Sequence, residues 1–193
     1  MVLVIATENK HKGEELASIL RQEMEIDVRT LADFPGVKLP PETGSTYREN
    51  AVQKALAAAK ATGHWALGDD SGLEVDALGG APGLYSARFA GEGVTYADNR
   101  KKVLDALGDR PDDQRTARFL CTIAIVSPDG KVEVVEGRCE GRITRRDVGG
   151  RGIRIRSDLL SADLQQDLRR AFSGGEKSDQ PSGIERSGPR FRF

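Results

Sequence analysis

Three short clusters in this sequence carry side chains able to hold a phosphorylated substrate and a divalent cation. The first is Thr7-Glu8-Asn9-Lys10-His11-Lys12, between an apolar run and an amphipathic stretch. Backbone N–H groups at a helix start, with the positive end of the helix dipole, favour phosphate. Thr7 and Asn9 offer side-chain donors and Lys12 a charge. The plainer alternative is an ordinary helix cap with solvated lysines. The second cluster is Glu42, in a Pro-rich loop, upstream of an Ala-rich helix that carries Lys54. Taken alone, each reads equally well as a solvated surface charge. The third is Gly68-Asp69-Asp70-Ser71-Gly72, expected at the end of a short strand. Two adjacent carboxylates repel each other unless a cation is near. Mg²⁺ takes oxygen ligands and keeps waters and substrate phosphates in its shell. An Asp-rich turn is the alternative. The carboxyl end of a strand, where open α/β sheets place ligands, favours the site. His11 and His64 show no partner in the sequence and read as structural or exposed.

The elements that must position these clusters follow from periodicity and turn residues. Val2 to Ala6 is a short apolar run suited to a buried strand. A helix with Leu16, Ile19 and Leu20 on its apolar face follows, then a strand from Ile26 to Thr30. This β-α-β opening predicts a parallel pair with a right-handed crossover. Thr46-Tyr47-Arg48-Glu49 has the capping-box pattern and starts a helix to about Ala61. Trp65 to Gly68 reads as a short strand, and the glycines and proline between Asp76 and Gly83 as a loop. A third helix runs from Thr95 through Leu107, and Gly108 to Gln114 is a polar linker. Thr116 to Ser127 and Lys131 to Cys139 read as strands of a hairpin turned at Pro128-Asp129-Gly130. The first half is therefore α/β and the middle antiparallel, which a mixed sheet with flanking helices satisfies.

Bulk properties narrow the function classes. With 193 residues, 38% of them hydrophobic, the chain can bury a real core. Its net charge of −1 gives no global field for nucleic acid or an anionic membrane. A polyanion must therefore be held by a local group of cations and a metal. Cys121 and Cys139 lie in predicted strands and read as free thiols; no CxxC or Cys/His spacing suggests zinc. The start Met-Val-Leu-Val-Ile-Ala is not that of a signal peptide, and no run is long enough to span a bilayer. A cytoplasmic protein is expected.

Taken together, these clusters resemble the inosine triphosphate pyrophosphatase family, in order and spacing, over residues 1–152. Ala6-Thr7-Glu8-Asn9 with Lys12 and Glu15 is similar to its Thr-Gly-Asn-x-x-Lys-x-x-Glu, with Glu8 in place of the usual glycine. Glu42-Thr43-Gly44, Glu49-Asn50-Ala51 and Lys54-Ala55 match a second block. Asp69-Asp70-Ser71-Gly72-Leu73, Leu78-Gly79-Gly80-Ala81-Pro82-Gly83 and Tyr85-Ser86-Ala87-Arg88 match a third, long and specific one. The resemblance implies an elongated mixed α/β sheet with flanking helices and two lobes around a central cleft. It implies Mg²⁺-dependent cleavage of dITP, ITP or XTP to monophosphate and pyrophosphate by a homodimer. Glu42 and Asp70 would hold Mg²⁺, directly or through water, and Asp70 would be the general base. Asp69 would support the charge of the site. Thr7, Asn9, Lys12 and Lys54 would bind phosphates, and Ser71 would line the nucleotide pocket. An acid at Glu8 is expected to weaken the phosphate loop.

The resemblance stops after Gly152. Where the family continues Phe-Gly-Tyr-Asp-Pro-Ile-Phe, this chain reads Ile153-Arg154-Ile155-Arg156-Ser157-Asp158-Leu159. Synonymous codons for Ile153 to Leu160, ATT CGG ATA CGA TCC GAT CTT CTC, give the family's peptide when read one base later. The same shift from Gly174 onward gives Glu-Glu-Lys-Asn-Gln-Ile-Ser-His-Arg, the family's next block. Residues 153–193 are thus read as a frame-shifted tail from an inserted base near codons 151–152. The alternative is a divergent tail. In either case the base pocket is displaced, and poor packing with weak or absent activity is expected. The competing functions are a non-catalytic nucleotide-binding protein on the same scaffold and a septum-inhibitor-type pyrophosphatase acting on pyrimidine or modified nucleotides.

Overall fold

The computed structural model describes residues 1–23, 25–145 and the backbone of 191–192. The expectations for 153–193 therefore lie outside the described residues, save two positions. Among the described residues, six strands form one sheet in the order β2-β1-β3-β4-β5-β6. The strands are β1 (Val2–Ala6), β2 (Asp27–Thr30), β3 (Trp65–Val75), β4 (Thr116–Val126), β5 (Val132–Arg142) and β6 (Phe191–Arg192). The helices are α1 (Lys10–Glu23), α2 (Tyr47–Thr62) and α3 (Tyr96–Leu107). This is the mixed α/β architecture that the pattern predicts. The chain divides into two compact units, one holding Met1–Asp70 and Thr122–Gly137, the other Ser71–Cys121 and a segment beginning at Arg138.

In the first unit β1 is flanked on both sides by parallel partners. Val2 to Ile5 face Asp27 to Thr30 of β2, and Leu3 to Ala6 face Trp65 to Gly68 of β3. A strand with neighbours on both sides and helices over both faces must be apolar throughout. Accordingly Leu3, Val4, Ile5 and Ala6 are fully buried. Chain order then fixes the helices. The crossover from β1 to β2 and the return from β2 to β3 run in opposite directions across the sheet. Under the right-handed rule for such crossovers, α1 and α2 fall on opposite faces, in keeping with Asp69 meeting Lys12 of α1 and Asp70 meeting Asn50 of α2. The α1 face is carried by Leu16, Ala17 and Leu20, all buried. The α2 face is Ala51, Ala55, Ala58 and Ala59, packed with Ala6, Ala66, Ala124 and Val126. Such small residues let α2 lie very close to β3. A Cβ built on Gly68 would stand 2.3 Å from the Ala51 carbonyl oxygen and 2.8 Å from the Ala55 nitrogen.

One expectation needs correcting. The third strand does not end at Gly68; it runs eleven residues, to Val75, and carries Asp69-Asp70-Ser71-Gly72 within it. The polar residues and glycines suggested a turn. Strand β3 instead continues past the end of β1, whose last paired residue, Ala6, faces Gly68. Asp69 and Asp70 are thus mid-strand, yet they are the first residues beyond the carboxyl end of the parallel β1.

In the second unit burial on β4 alternates from Thr116 to Cys121, the mark of a strand with one exposed face. Over the adjoining Thr122–Val126, which belong to the first unit, it becomes continuous. The two predicted hairpin strands form, and the Ser127 N–H donates to the Lys131 carbonyl across the turn (3.0 Å). The segment from Asp76 to Gly83 is not regular loop throughout: Asp76–Leu78 is a single helical turn, and the Ala81–Pro82 peptide is cis. Cys121 and Cys139 are not joined in a disulfide, as expected. His64 meets the Phe34 ring edge-on, and His11 is exposed.

Candidate active site

The site residues of the first unit lie around the end of β1, where β3 runs on past it, and near the starts of α1 and α2. Sheet order reverses here, because β1 is followed by β2 on one side and β3 on the other. Ligands of open α/β sheets bind at this kind of switch point. The turn after β1 is organised by its own side chains. Thr7 Oγ1 accepts from the Asn9 N–H (3.3 Å), and Asn9 Oδ1 accepts from the Lys12 N–H (3.2 Å). Asn9 is therefore a helix cap, as the plainer sequence reading had it. The capping bond uses its oxygen, while its amide hydrogens and the Thr7 hydroxyl hydrogen remain the donors these groups can present. No acid lies in the first turn of α1 to offset the positive end of its dipole. Glu8, just before the helix, is exposed.

Strand alternation then distributes the two aspartates. Neighbouring side chains on a strand point to opposite faces. Asp69 turns to the α1 side, where its carboxylate forms a tight ion pair with the Lys12 ammonium. Asp70 turns to the α2 side, where its Oδ2 accepts from Asn50 Nδ2 (2.8 Å). Both aspartates are buried, at 1% and 8% exposure. Charged groups are that well buried only when other polar groups hold them. Ser71 follows Asp70 on the same strand.

Helix α2 supplies the remaining parts. Thr46 caps it by accepting from the Glu49 N–H (3.1 Å). The reciprocal arm of the expected capping box is displaced by one residue: Glu49 Oε2 takes the Ser45 N–H (2.6 Å) and hydroxyl (2.8 Å) instead. The Ser45 hydroxyl, then its N–H, hold the Glu49 carboxyl below the usual glutamate range. One turn of helix separates Asn50 from Lys54, so both face the same way. Lys54 Nζ, largely buried, bonds Glu42 Oε1 at 2.7 Å. Glu42 thus joins Lys54, and Asp70 joins Asn50, on successive turns of one helix.

A model of the Ham1 family matches residues 3–154. The chain belongs to the Ham1 family. Among its relatives, the "dITP/XTP pyrophosphatase" of Desulforamulus reducens is 53% identical over 145 residues, covering 75% of this chain and 72% of that protein. The protein so named from Shigella flexneri is 48% identical over 152 residues, covering 78% and 76%. A HAM1 protein from Coxiella burnetii superposes with a TM-score of 0.74 at 33% identity, covering 91% of this chain and all of that one.

Most of the predicted residues of the first unit meet in this Ham1 chain as pairs rather than as one cluster: Lys12 with Asp69, Lys54 with Glu42, and Thr7 with Asn9. Among the described residues, no three His, Cys, Asp or Glu side chains stand close enough to form a metal-holding group by themselves. Glu42 and Asp70 as donors still suit Mg²⁺, which commonly uses one or two carboxylates with waters and substrate phosphates. Asn50 escaped the sequence reading. It was visible only as part of the Glu49-Asn50-Ala51 block, and its burial, at 3% exposure, depends on the tertiary approach of α2 to β3.

Proposed function

We propose that this Ham1 chain is built to hydrolyse non-canonical purine nucleoside triphosphates, dITP, ITP and XTP, to the monophosphate and pyrophosphate. The observation that carries the reading is the paired arrangement of Lys12 with Asp69 and Lys54 with Glu42, beside buried Asp70, at the switch point of the sheet. Lys12, beside the start of α1, and Lys54, on α2, each offer an ammonium group to a triphosphate, whose oxygens can replace the carboxylate on each lysine. Thr7 and Asn9 donate to phosphate oxygens, and Ser71 lines the nucleotide pocket. Asp70 accepts a proton from water as the water oxygen forms a bond to the α-phosphorus. The anhydride linking the α-phosphate to the β-phosphate then breaks, its electron pair leaving with pyrophosphate. Glu42 and Asp70 would hold Mg²⁺, which supplies charge neutralisation on the phosphates when bound. A cytoplasmic homodimer is the working form in this reading.

A second reading, a non-catalytic nucleotide-binding protein on this scaffold, is favoured by Glu8 beside the phosphate loop and by the divergence after Gly152. One comparison tests both. Pyrophosphate release from dITP, XTP and dATP with Mg²⁺ is measured for this chain and for a version with residues 153–193 rewritten in the shifted frame. The rewritten version should turn over dITP and XTP in preference to dATP. Its Asp70→Asn variant should lose about 10²–10⁴-fold, the range for a general base. This chain should be slow or inactive. Ordinary turnover by this chain overturns the tail reading. Inactivity of both forms, with nucleotide still bound, favours the second reading.

A further inference from the structure

The geometry points to Asn50 as the positioning residue that sets the Glu42 loop and the Asp70 carboxylate in register, an inference that rests on the metal-binding roles proposed for those two acids. Asn50 is buried and its side chain spends both functions on this join. Its Oδ1 accepts from the Gly44 N–H at 2.8 Å, and its Nδ2 donates to Asp70 Oδ2 at 2.8 Å. An amide side chain has an acceptor end and a donor end that are not interchangeable. The Gly44 N–H can only donate, so it fixes which way the amide faces. The donor end must then point at Asp70, where a carboxylate can only accept. Gly44 is two residues from Glu42, so one amide ties the loop carrying one acid to the carboxylate of the other.

The space around this join has no slack. A Cβ built on Gly44 would stand 2.6 Å from Asn50 Oδ1 and 2.7 Å from the Glu49 Cβ. The opposite wall is equally tight, since Gly68 lets α2 approach β3 at Ala51, the residue after Asn50. Asn50 touches neither substrate nor metal in this assignment. It acts through Asp70 and the Glu42 loop, as groups behind metal ligands do when they orient them.

The test is Mn²⁺ binding to the full 193-residue chain without nucleotide, followed by the electron paramagnetic resonance signal of free Mn²⁺, alongside thermal melts. Asn50→Ala should weaken Mn²⁺ binding about 10–100-fold, the range seen when such supporting groups are removed. Gly44→Ala, which displaces the amide without deleting it, should weaken binding in the same direction. Asn99→Ala, a buried asparagine remote in sequence from the site, should lower the melting temperature and leave Mn²⁺ affinity unchanged. Asp70→Asn separates two failures. If it binds Mn²⁺ as the parent does, the metal assignment itself is wrong. If it loses binding while Asn50→Ala and Gly44→Ala keep it, only the role of Asn50 falls. An Asn50→Ala chain that does not fold, with Gly44→Ala at parent affinity, likewise overturns that role.

Discussion

Two helices of this protein begin with nearly the same five residues and use them differently. Helix α2 opens Thr46-Tyr47-Arg48-Glu49-Asn50, and α3 opens Thr95-Tyr96-Ala97-Asp98-Asn99. Each threonine caps its helix by accepting an N–H three residues on. Each asparagine is buried and takes a loop N–H on its oxygen, from Gly44 in one case and Ala90 in the other. The difference lies at the amide nitrogen. Asn99 donates to the Ala87 carbonyl, so its whole function is to hold a loop against α3. Asn50 donates to the carboxylate of Asp70. The second unit repeats this habit in Arg115, fully buried, which gives its guanidinium to the carbonyls of Ile143, Gly108 and Thr144. Buried polar groups that end on backbone hold a fold together. Asn50 instead ends on an ionisable side chain of another element, Asp70, the acid to which the proposed function gives the proton transfer.

The largest stability effect that sharpens this contrast is expected at Gly68. Alanine there drives a Cβ into the backbone of α2, where no flexible side chain can give way. A loss of at least the ~1–3 kcal/mol typical of overpacking is expected. Because α2 also carries Asn50 and Lys54, Mn²⁺ binding should fall with it. Chemical denaturation and the Mn²⁺ titration, run together, check both. A Gly68→Ala chain of unchanged stability would mean that α2 does not sit against β3 as closely as described.

Next in size is Asn99→Ala, which leaves the Ala90 N–H and the Ala87 carbonyl without their side-chain partner. Both bonds are only partly buried, so water can replace the lost partner, and at about 0.5–1.5 kcal/mol per hydrogen bond the pair should cost roughly 1–2 kcal/mol. Denaturation should show this loss. Pyrophosphate release by the rewritten chain should be unaffected once melting is avoided. A large drop in turnover at full folding would place Asn99 with Asn50 and erase the distinction drawn between them. Smaller again are the caps. Thr46→Ala and Thr95→Ala should each cost about 1 kcal/mol by thermal melt, since both remove the same kind of bond.

Much of this was legible in the sequence, and the misses share one cause. Strand β1, the crossovers, the hairpin turn at Asp129-Gly130 and all three helix starts follow from local pattern. Lys12, Asp69 and Asp70 stood out because charges beside glycines at element ends are conspicuous. The length of β3 was misread because Asp, Ser and Gly favour turns locally. Whether such residues stay in a strand is decided by what lies alongside, and here β3 outruns β1. Asn50 could not be told from Asn99 for the same reason. Their local sequences agree, and only the neighbouring strand shows that one amide meets a carboxylate and the other a carbonyl.

The smallest expected effect concerns the acids that follow the caps. Glu49 is held below the usual carboxylate range by the Ser45 hydroxyl, then the Ser45 N–H. Asp98 is held down by the Thr95 hydroxyl and then its N–H. A carboxyl whose folded value is depressed stabilises the fold fully above its unfolded value. That contribution is lost as pH falls through the folded value. Both helix starts should therefore loosen on acidification below the ordinary carboxylate range, and neither should respond between neutral and mildly alkaline pH. Glu49→Gln and Asp98→Asn remove the titrating groups and should each flatten part of the acid limb of a melting-temperature profile. The comparison sharpens at Glu49, because Ser45 adjoins Gly44, whose N–H orients Asn50. If that join is as taut as its geometry implies, Glu49→Gln should also weaken Mn²⁺ binding slightly, whereas Asp98→Asn should alter only the melt. Equal Mn²⁺ affinity in both variants would show that the Gly44–Asn50–Asp70 link holds without help from the cap.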